Sequence, residues 1–256
     1  ANPTVISGNT VSDNTSSGYG GGMYLYGGTQ TVSNNLVKQN SAVNGGAGIY
    51  MFNGFNVLQD NVIQNNQTPV GTGGGILCGS GNNKYISNRI ENNIGHRGAG
   101  MYLDGGFDTV ISNMILGNVC DYYGGGVVLD GCFYRFMNNL VANNISSNVA
   151  GLQINGFNTP LNTIANNTFY HNMADTANIN GWDCGALWLE NGNNSIYNNI
   201  FWDNQVGGSS TMPGADIFTF SGTPVFKYNA LQLPSSSYTT VGSGFYDLGT
   251  SASNNF

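Results

Sequence analysis

The sequence predicts an all-β chain wound as a single-stranded parallel β-helix, a solenoid of about 8–9 coils with roughly 26 residues in each. Three observations predict it. A phrase Asn-x-Φ-x-x-Asn, with Φ apolar, recurs eight times along the chain. A second, glycine-led phrase with strand periodicity lies between successive copies. The composition removes the alternatives: 41 asparagines and 39 glycines in 256 residues are too many poor helix formers for a helical bundle. With 40% hydrophobic and 12% aromatic residues the chain has the material for a core, which argues against disorder, and 6 prolines are too few for collagen.

The first phrase reads NTVSDN from Asn9, NLVKQN from Asn35, NVIQNN from Asn61 and NRIENN from Asn88. It continues as NMILGN from Asn113, NLVANN from Asn139, NTFYHN from Asn167 and NIFWDN from Asn199, with a degraded copy, NALQLP, from Asn229. The steps between first asparagines are 26, 26, 27, 25, 26, 28, 32 and 30 residues. The second phrase reads GGGMYL from Gly20, GAGIYM from Gly46, GGGILC from Gly73, GAGMYL from Gly98 and GGGVVL from Gly124. Weaker copies, VAGLQI from Val149 and CGALWL from Cys184, follow. Apolar residues alternate within it (Met23 and Leu25, Ile49 and Met51, Met101 and Leu103), which is the period of a strand with one face buried. A third apolar column stands three residues before each first asparagine, from Ile6, Val32 and Leu58 to Phe226.

Each coil therefore holds two or three strands of four or five residues between Gly- or Asn-containing turns. Such a unit cannot bury its apolar face alone, but stacked coils pair each strand with its equivalent about 4.8 Å away, giving a rod of about 40 Å. Inward-facing asparagines at the turns would be costly unpaired. In register, each amide can donate to one neighbour and accept from the other. The predicted structural columns are Asn9, Asn35, Asn61, Asn88, Asn113, Asn139, Asn167, Asn199 and Asn14, Asn40, Asn66, Asn93, Asn118, Asn144, Asn172, Asn204. Asn14, Asn66 and Asn144 also begin N-x-S/T sequons, expected by chance at this asparagine content.

The β-helix is expected over 1–233, followed by a Ser/Thr/Gly-rich C-terminal cap or extension over 234–256. The start, with no polar cap before the first coil, is expected to leave strand edges that are templates for association. The formal charge is −7, with only six Lys and Arg, scattered. That excludes nucleic acid as a partner. No run of 18 apolar residues is present, so no membrane-spanning helix is expected. Cys78, Cys120, Cys132 and Cys184 show no metal-binding spacing. Cys78 reads as a buried thiol, and a Cys120–Cys184 disulfide is an expectation.

Two insertions, Met173–Cys184 and Gln205–Asp216, are expected to leave the solenoid and contribute to a binding face. Candidate catalytic residues are the carboxylates Asp104, Asp130 and Glu190, at one position of the glycine-led strand, and His171 with Asp203, at one repeat position of successive coils. Asp104 and Asp130, about 5 Å apart if stacked, would suit a glycosidase pair or a Ca²⁺ ion, although Asp-Gly is also ordinary turn chemistry. Candidate ligand-binding aromatics are the outward column Tyr24, Tyr50, Tyr102 and Trp188, together with Trp182 and Trp202. The apolar positions Leu36, Val62, Met114, Leu140 and Ile200 form an outward ridge or part of the core; the sequence leaves both open.

Strands such as GAGIYM followed by turns such as NVIQNN resemble the right-handed parallel β-helix repeats of the pectate-lyase-like superfamily, closest to the polymorphic outer-membrane-protein type of bacterial surface repeat. The segment from Asn198 through Gln232 is similar to the last coils of such proteins, and the resemblance covers about 4–233. It implies a right-handed coil and a secreted or cell-surface location. Its motifs encode core and turns rather than a site, and no polygalacturonase-like or pectin-esterase-like motif is present. The expected function is an extracellular structural or adhesive protein, self-associating into a larger assembly. The alternative is a glycoside hydrolase, polysaccharide lyase or carbohydrate-binding module whose partner is an extracellular glycan. No cofactor is expected beyond the candidate Ca²⁺.

Overall fold

The computed structural model describes residues 3–156, 162–175, 183–190, 194–209, 215–232 and 245–247. Eight successive coils each contribute one strand to each of four parallel sheets, rather than the two or three strands expected. Sheet 1 has nine strands, from Thr4–Ser7 to Val225–Lys227, and sheet 2 has ten, beginning at Thr10–Ser12. Sheets 3 and 4 have eight each, from Thr15–Ser16 to Gln205–Val206 and from Met23–Tyr26 to Ile217–Thr219. The extra strand is the stretch after the second asparagine of each coil. It is only two residues long in Ser41–Ala42 and six in Gln67–Thr72, too short or too irregular to show a period. In sheet 2, Phe245–Asp247 pairs in parallel with Asn229–Leu231; the rest of 234–256 lies outside the described residues.

The three apolar columns all point inward. Val32, Leu58, Tyr85, Val110, Phe136 and Ile164 in sheet 1 are fully buried, as are Val37, Ile63, Ile90, Ile115, Val141, Phe169 and Phe201 in sheet 2. The alternating residues of the glycine-led strand line sheet 4 and join the same continuous core. Each large apolar side chain so buried contributes about 1.5–3 kcal/mol. The rings of Phe169 and Phe201 stack at 4.9 Å with an interplanar angle of 2°.

Both asparagine ladders form. Asn118 is typical: its Nδ2 donates to Asn144 Oδ1 at 3.0 Å and to the Ile90 carbonyl at 3.1 Å. Its own Oδ1 accepts from the Asn93 amide and backbone N–H, each at 3.0 Å. Every polar atom of the side chain is satisfied by the protein itself, as burial requires. The first ladder runs to Asn229, and the second ends on Asp216, whose Oδ1 accepts from Asn204. Asn66 and Asn144 are wholly buried in the ladder, which closes those two sequons to glycosylation in the folded chain.

The residue before each ladder asparagine turns the corner in the left-handed region: Asn34 (φ 54°), Gln39 (54°), Asn92 (52°), His171 (51°) and Asp203 (54°). Asn, Asp and His are enriched there, which explains the Asn-Asn pairs. The glycines of the second phrase serve close approach instead. A Cβ on Gly100 would stand 2.4 Å from the Gly126 carbonyl oxygen and 3.0 Å from Asn118 Nδ2. The ladder amide and the next coil's backbone leave no room for a methyl group.

The apolar ridge faces outward. Met114 and Ile200 are exposed, and Leu36, Val62 and Leu140 are half-buried.

Candidate functional site

The outer face of sheet 4 collects most of the predicted site residues. Its strands pair Asp104 with Asp130, Asp130 with Asn155 and Asn155 with Glu190, so these four form one column along the rod. The Tyr102 hydroxyl donates to Asp130 Oδ2 at 2.5 Å. Burial, and then the neighbouring Asp130, push the Asp104 carboxyl above its usual range. Burial followed by the Asp130 hydrogen bond raises the Tyr102 phenol, so this tyrosine stays a donor. A Ca²⁺ here would find two carboxylates, one already bonded by Tyr102, against the six to eight oxygens it takes. Among the described residues, no group of three or more His, Cys, Asp or Glu comes together to hold a metal.

The aromatic column divides into two regions. On the first two coils Tyr24 and Tyr26 are exposed, and Tyr50 meets Tyr19 at 4.7 Å and Tyr24 at 4.9 Å. Further along, Tyr102 is buried with Leu77 and Val128 beneath Tyr50 and Tyr123. Trp188 is buried with Val149 and Cys184 against Tyr123 and Phe218.

Beside Trp188 opens a groove of about 260 Å³. Tyr122, Tyr123, Val149, Trp188 and Phe220 supply its apolar surface, and Asn148, Gln153, Asn155 and Glu190 its polar groups. Tyr122 and Tyr123 end the sheet 3 strand Val119–Tyr123. They are held by Arg97, whose guanidinium carbon lies 5.3 and 4.9 Å from the two ring centroids. His96 stacks on Tyr122 at 5.3 Å and its Nδ1 lies 2.7 Å from Asp121 Oδ1. Sequence reasoning missed Tyr122, Tyr123 and the His96–Asp121 pair. The available signal was the Asp-Tyr-Tyr before Gly124, two adjacent aromatics at a place where the first coil carries one, Tyr19.

His171 and Asp203 do meet, Nδ1 to Oδ2 at 2.7 Å, at the corner between sheets 2 and 3. Tyr170 and Trp202 beside them are exposed. Both pair members occupy left-handed turn positions, and the sheet 4 carboxylates belong to a different side of the coil. Trp182 lies outside the described residues. A second hollow, of about 550 Å³, is walled largely by Gly28, Gly54, Gly81 and Gly106 and offers little chemistry beside Phe55, Asn53 and Asn82.

The expected Cys120–Cys184 disulfide does not form: all four cysteines are free and buried. Cys184 packs with Val149 and Trp188. The Cys120 thiol instead donates within sheet 3 to the His96 and Tyr123 carbonyls. Burial pushes its thiol up to about 12, away from the thiolate form.

One buried acid was also missed. Asp108 is inaccessible, accepts from Asn83 Nδ2 at 3.2 Å through Oδ1, and has no partner for Oδ2 among the described residues. Burial pushes its carboxyl up to about 7.

A family model described as a right-handed beta helix region matches residues 1–169. No curated protein and no solved structure matches the chain.

Proposed function

The chain belongs to the right-handed β-helix family, and from that premise we propose that it is an extracellular adhesive protein that binds a glycan without cleaving it. The groove on sheet 4 carries the reading: aromatic walls with a few placed amides and one carboxylate, Glu190. Sugar rings present apolar faces that stack on such rings, while fixed polar groups orient their hydroxyls. The scarcity of cations, six in the whole chain, favours a neutral glycan over a uronate. Asp104 and Asp130 are assigned to the polar rim, because Tyr102 already holds Asp130 against the sheet.

The test is calorimetric titration with neutral, N-acetylated and uronate oligosaccharides, comparing the native chain with Tyr122→Ala. Tyr122 is exposed, so its loss should spare the fold. Binding that weakens by up to about tenfold is expected for one stacking ring. An affinity indifferent to Tyr122→Ala, or no binding by any oligosaccharide, overturns the reading.

A second reading, self-association, is favoured by the outward faces of sheets 2 and 3 from the fourth coil to the eighth. Ile94, Met114, Val119, Tyr170, Ile200 and Trp202 are all exposed there, an apolar surface of the kind that marks contacts. Sedimentation velocity over a wide concentration range tests it; a constant coefficient rejects self-association.

A further inference from the structure

Glu190 is the one charged residue on the groove's lining, where its polar companions Asn148, Gln153 and Asn155 are neutral amides. It is half-buried and ends the strand Leu187–Glu190, whose inward residues are Leu187 and Leu189. Glu190 therefore shares the outward side with Trp188. Its carboxylate has neither an ion-pair nor a hydrogen-bond partner among the described residues. Arg97, the cation against Tyr122 and Tyr123, lies three coils before Glu190, about 14 Å along the rod, and does not neutralise it. Register continues the acidic edge beyond the groove, from Glu190 through Asn155 to Asp130 and Asp104. The whole chain carries a formal charge of −7, which draws cations toward its surface.

We infer that the groove selects a glycan bearing free, protonated amines, an amino-sugar oligomer whose ammonium group pairs with Glu190; this rests on the glycan-binding reading above. A ligand seated in the groove takes water away from Glu190, and a carboxylate so covered is costly unless an opposite charge meets it. A neutral hydroxyl supplies a hydrogen bond but no charge. An ammonium supplies both, and the faces of the aromatic wall carry the partial negative charge that attracts a cation as well. An acetylated amine has lost that charge, and a uronate would meet Glu190 as a like charge. An oligomer lying along the rod carries its further amines past Asp130 and Asp104, charges of the same sign as Glu190.

The experiment compares oligosaccharides of glucosamine, N-acetylglucosamine and glucose, of one linkage and length, by calorimetry on the full chain at a pH where the sugar amine is protonated. The expected result is a preference on the order of 10-fold for the free amine over both neutral sugars. Glu190→Gln keeps the shape of the side chain, removes its charge and should collapse that preference toward one. Asp60→Asn removes an equal, exposed charge from sheet 1 and should leave the preference as it was. Equal affinity for the three sugars, or a preference that survives Glu190→Gln, overturns the inference and leaves glycan binding standing. So does a preference that falls as far with Asp60→Asn, because the overall charge and not the groove would then select the amine. A simple alkyl diamine that binds as tightly as the glucosamine oligomer also overturns it. Binding by none of the three sugars nor by a uronate oligomer removes the glycan-binding reading itself.

Discussion

The segment from the first to the second asparagine of a coil always advances five positions, as from Asn9 to Asn14, Asn88 to Asn93 or Asn199 to Asn204. The remainder of the coil, from the second asparagine to the next first one, varies from 20 positions (Asn93 to Asn113) to 27 (Asn172 to Asn199). The constant segment carries sheet 2 with one ladder at each end. The variable remainder carries sheets 3, 4 and 1, and with them the groove. The difference has a physical origin. Each ladder amide is satisfied by the same atom of the next coil, so one inserted residue would strand several buried polar groups at once. The variable part only has to bring its strands back into register, and between strands it is free to lengthen and to change side chains. Binding chemistry accumulates where the repeat is slack.

The sharpest way to break that contrast is to remove one rung. Asn118→Ala strands the Asn93 amide and backbone N–H and takes a partner from Asn144 and Ile90. A loss on the order of 4–5 kcal/mol is expected from the two or more orphaned groups. Asn155→Ala, in the slack part and with a side chain that accepts only from Gln153 Nε2 among its described bonds, orphans that one donor and should cost about 1–2 kcal/mol. Urea unfolding of both variants makes the comparison, and similar losses would abolish the distinction.

A third column in the variable part sharpens it further. Asn56 donates to Asn83 at 2.9 Å and Asn83 to Asp108, but there the amide ladder stops on an acid. Burial raises the folded-state carboxyl to about 7 from its ordinary 3.8. Between those values the unfolded chain releases a proton that the folded chain keeps, so stability falls as pH rises. The penalty is absent below about pH 4 and reaches roughly 4 kcal/mol, three pH units at about 1.4 each, by neutral pH. Asp108→Asn should gain most at pH 7, with the advantage shrinking toward pH 5 in thermal melts. An advantage independent of pH would show that Asp108 does not titrate in the fold.

Smaller effects are expected at the corners and on the surface. Asn143→Val places a β-branched residue at φ 56° and should cost about 1–2 kcal/mol; Asn143→Gly should be nearly neutral. Tyr102→Phe removes one hydrogen bond to Asp130 and should lower stability by about 1 kcal/mol. Chemical unfolding resolves both, and a Val variant as stable as the Gly variant would contradict the corner geometry.

Much of the fold was legible because the repeat reports it directly. The columns of Asn118 and Asn93, the inward alternation of Met101 and Leu103, and the stacking of Asp104 on Asp130 all follow from position within the coil. Asp108 was legible too, though it was overlooked. It stands two residues before the inward Val110, on the same face of the strand, as Asn83 stands before Tyr85 and Tyr134 before Phe136. Parity alone places all of them in the core. His171 and Asp203 read as a pair for the same reason, but their neighbourhood at a left-handed corner did not.

What the sequence by itself determined is the repeat, and therefore the solenoid, its ladders and its core, because those contacts join equivalent residues at a known offset. What only the tertiary structure decided is the side of the coil on which non-equivalent residues meet. Tyr122 and Tyr123 from sheet 3, Trp188 from sheet 4 and Phe220 beyond its last strand share no repeat position. Their convergence depends on where irregular connections turn, and likewise the free cysteines depend on which way Cys120 and Cys184 point. A period predicts contacts between copies; it carries no information about contacts between the exceptions.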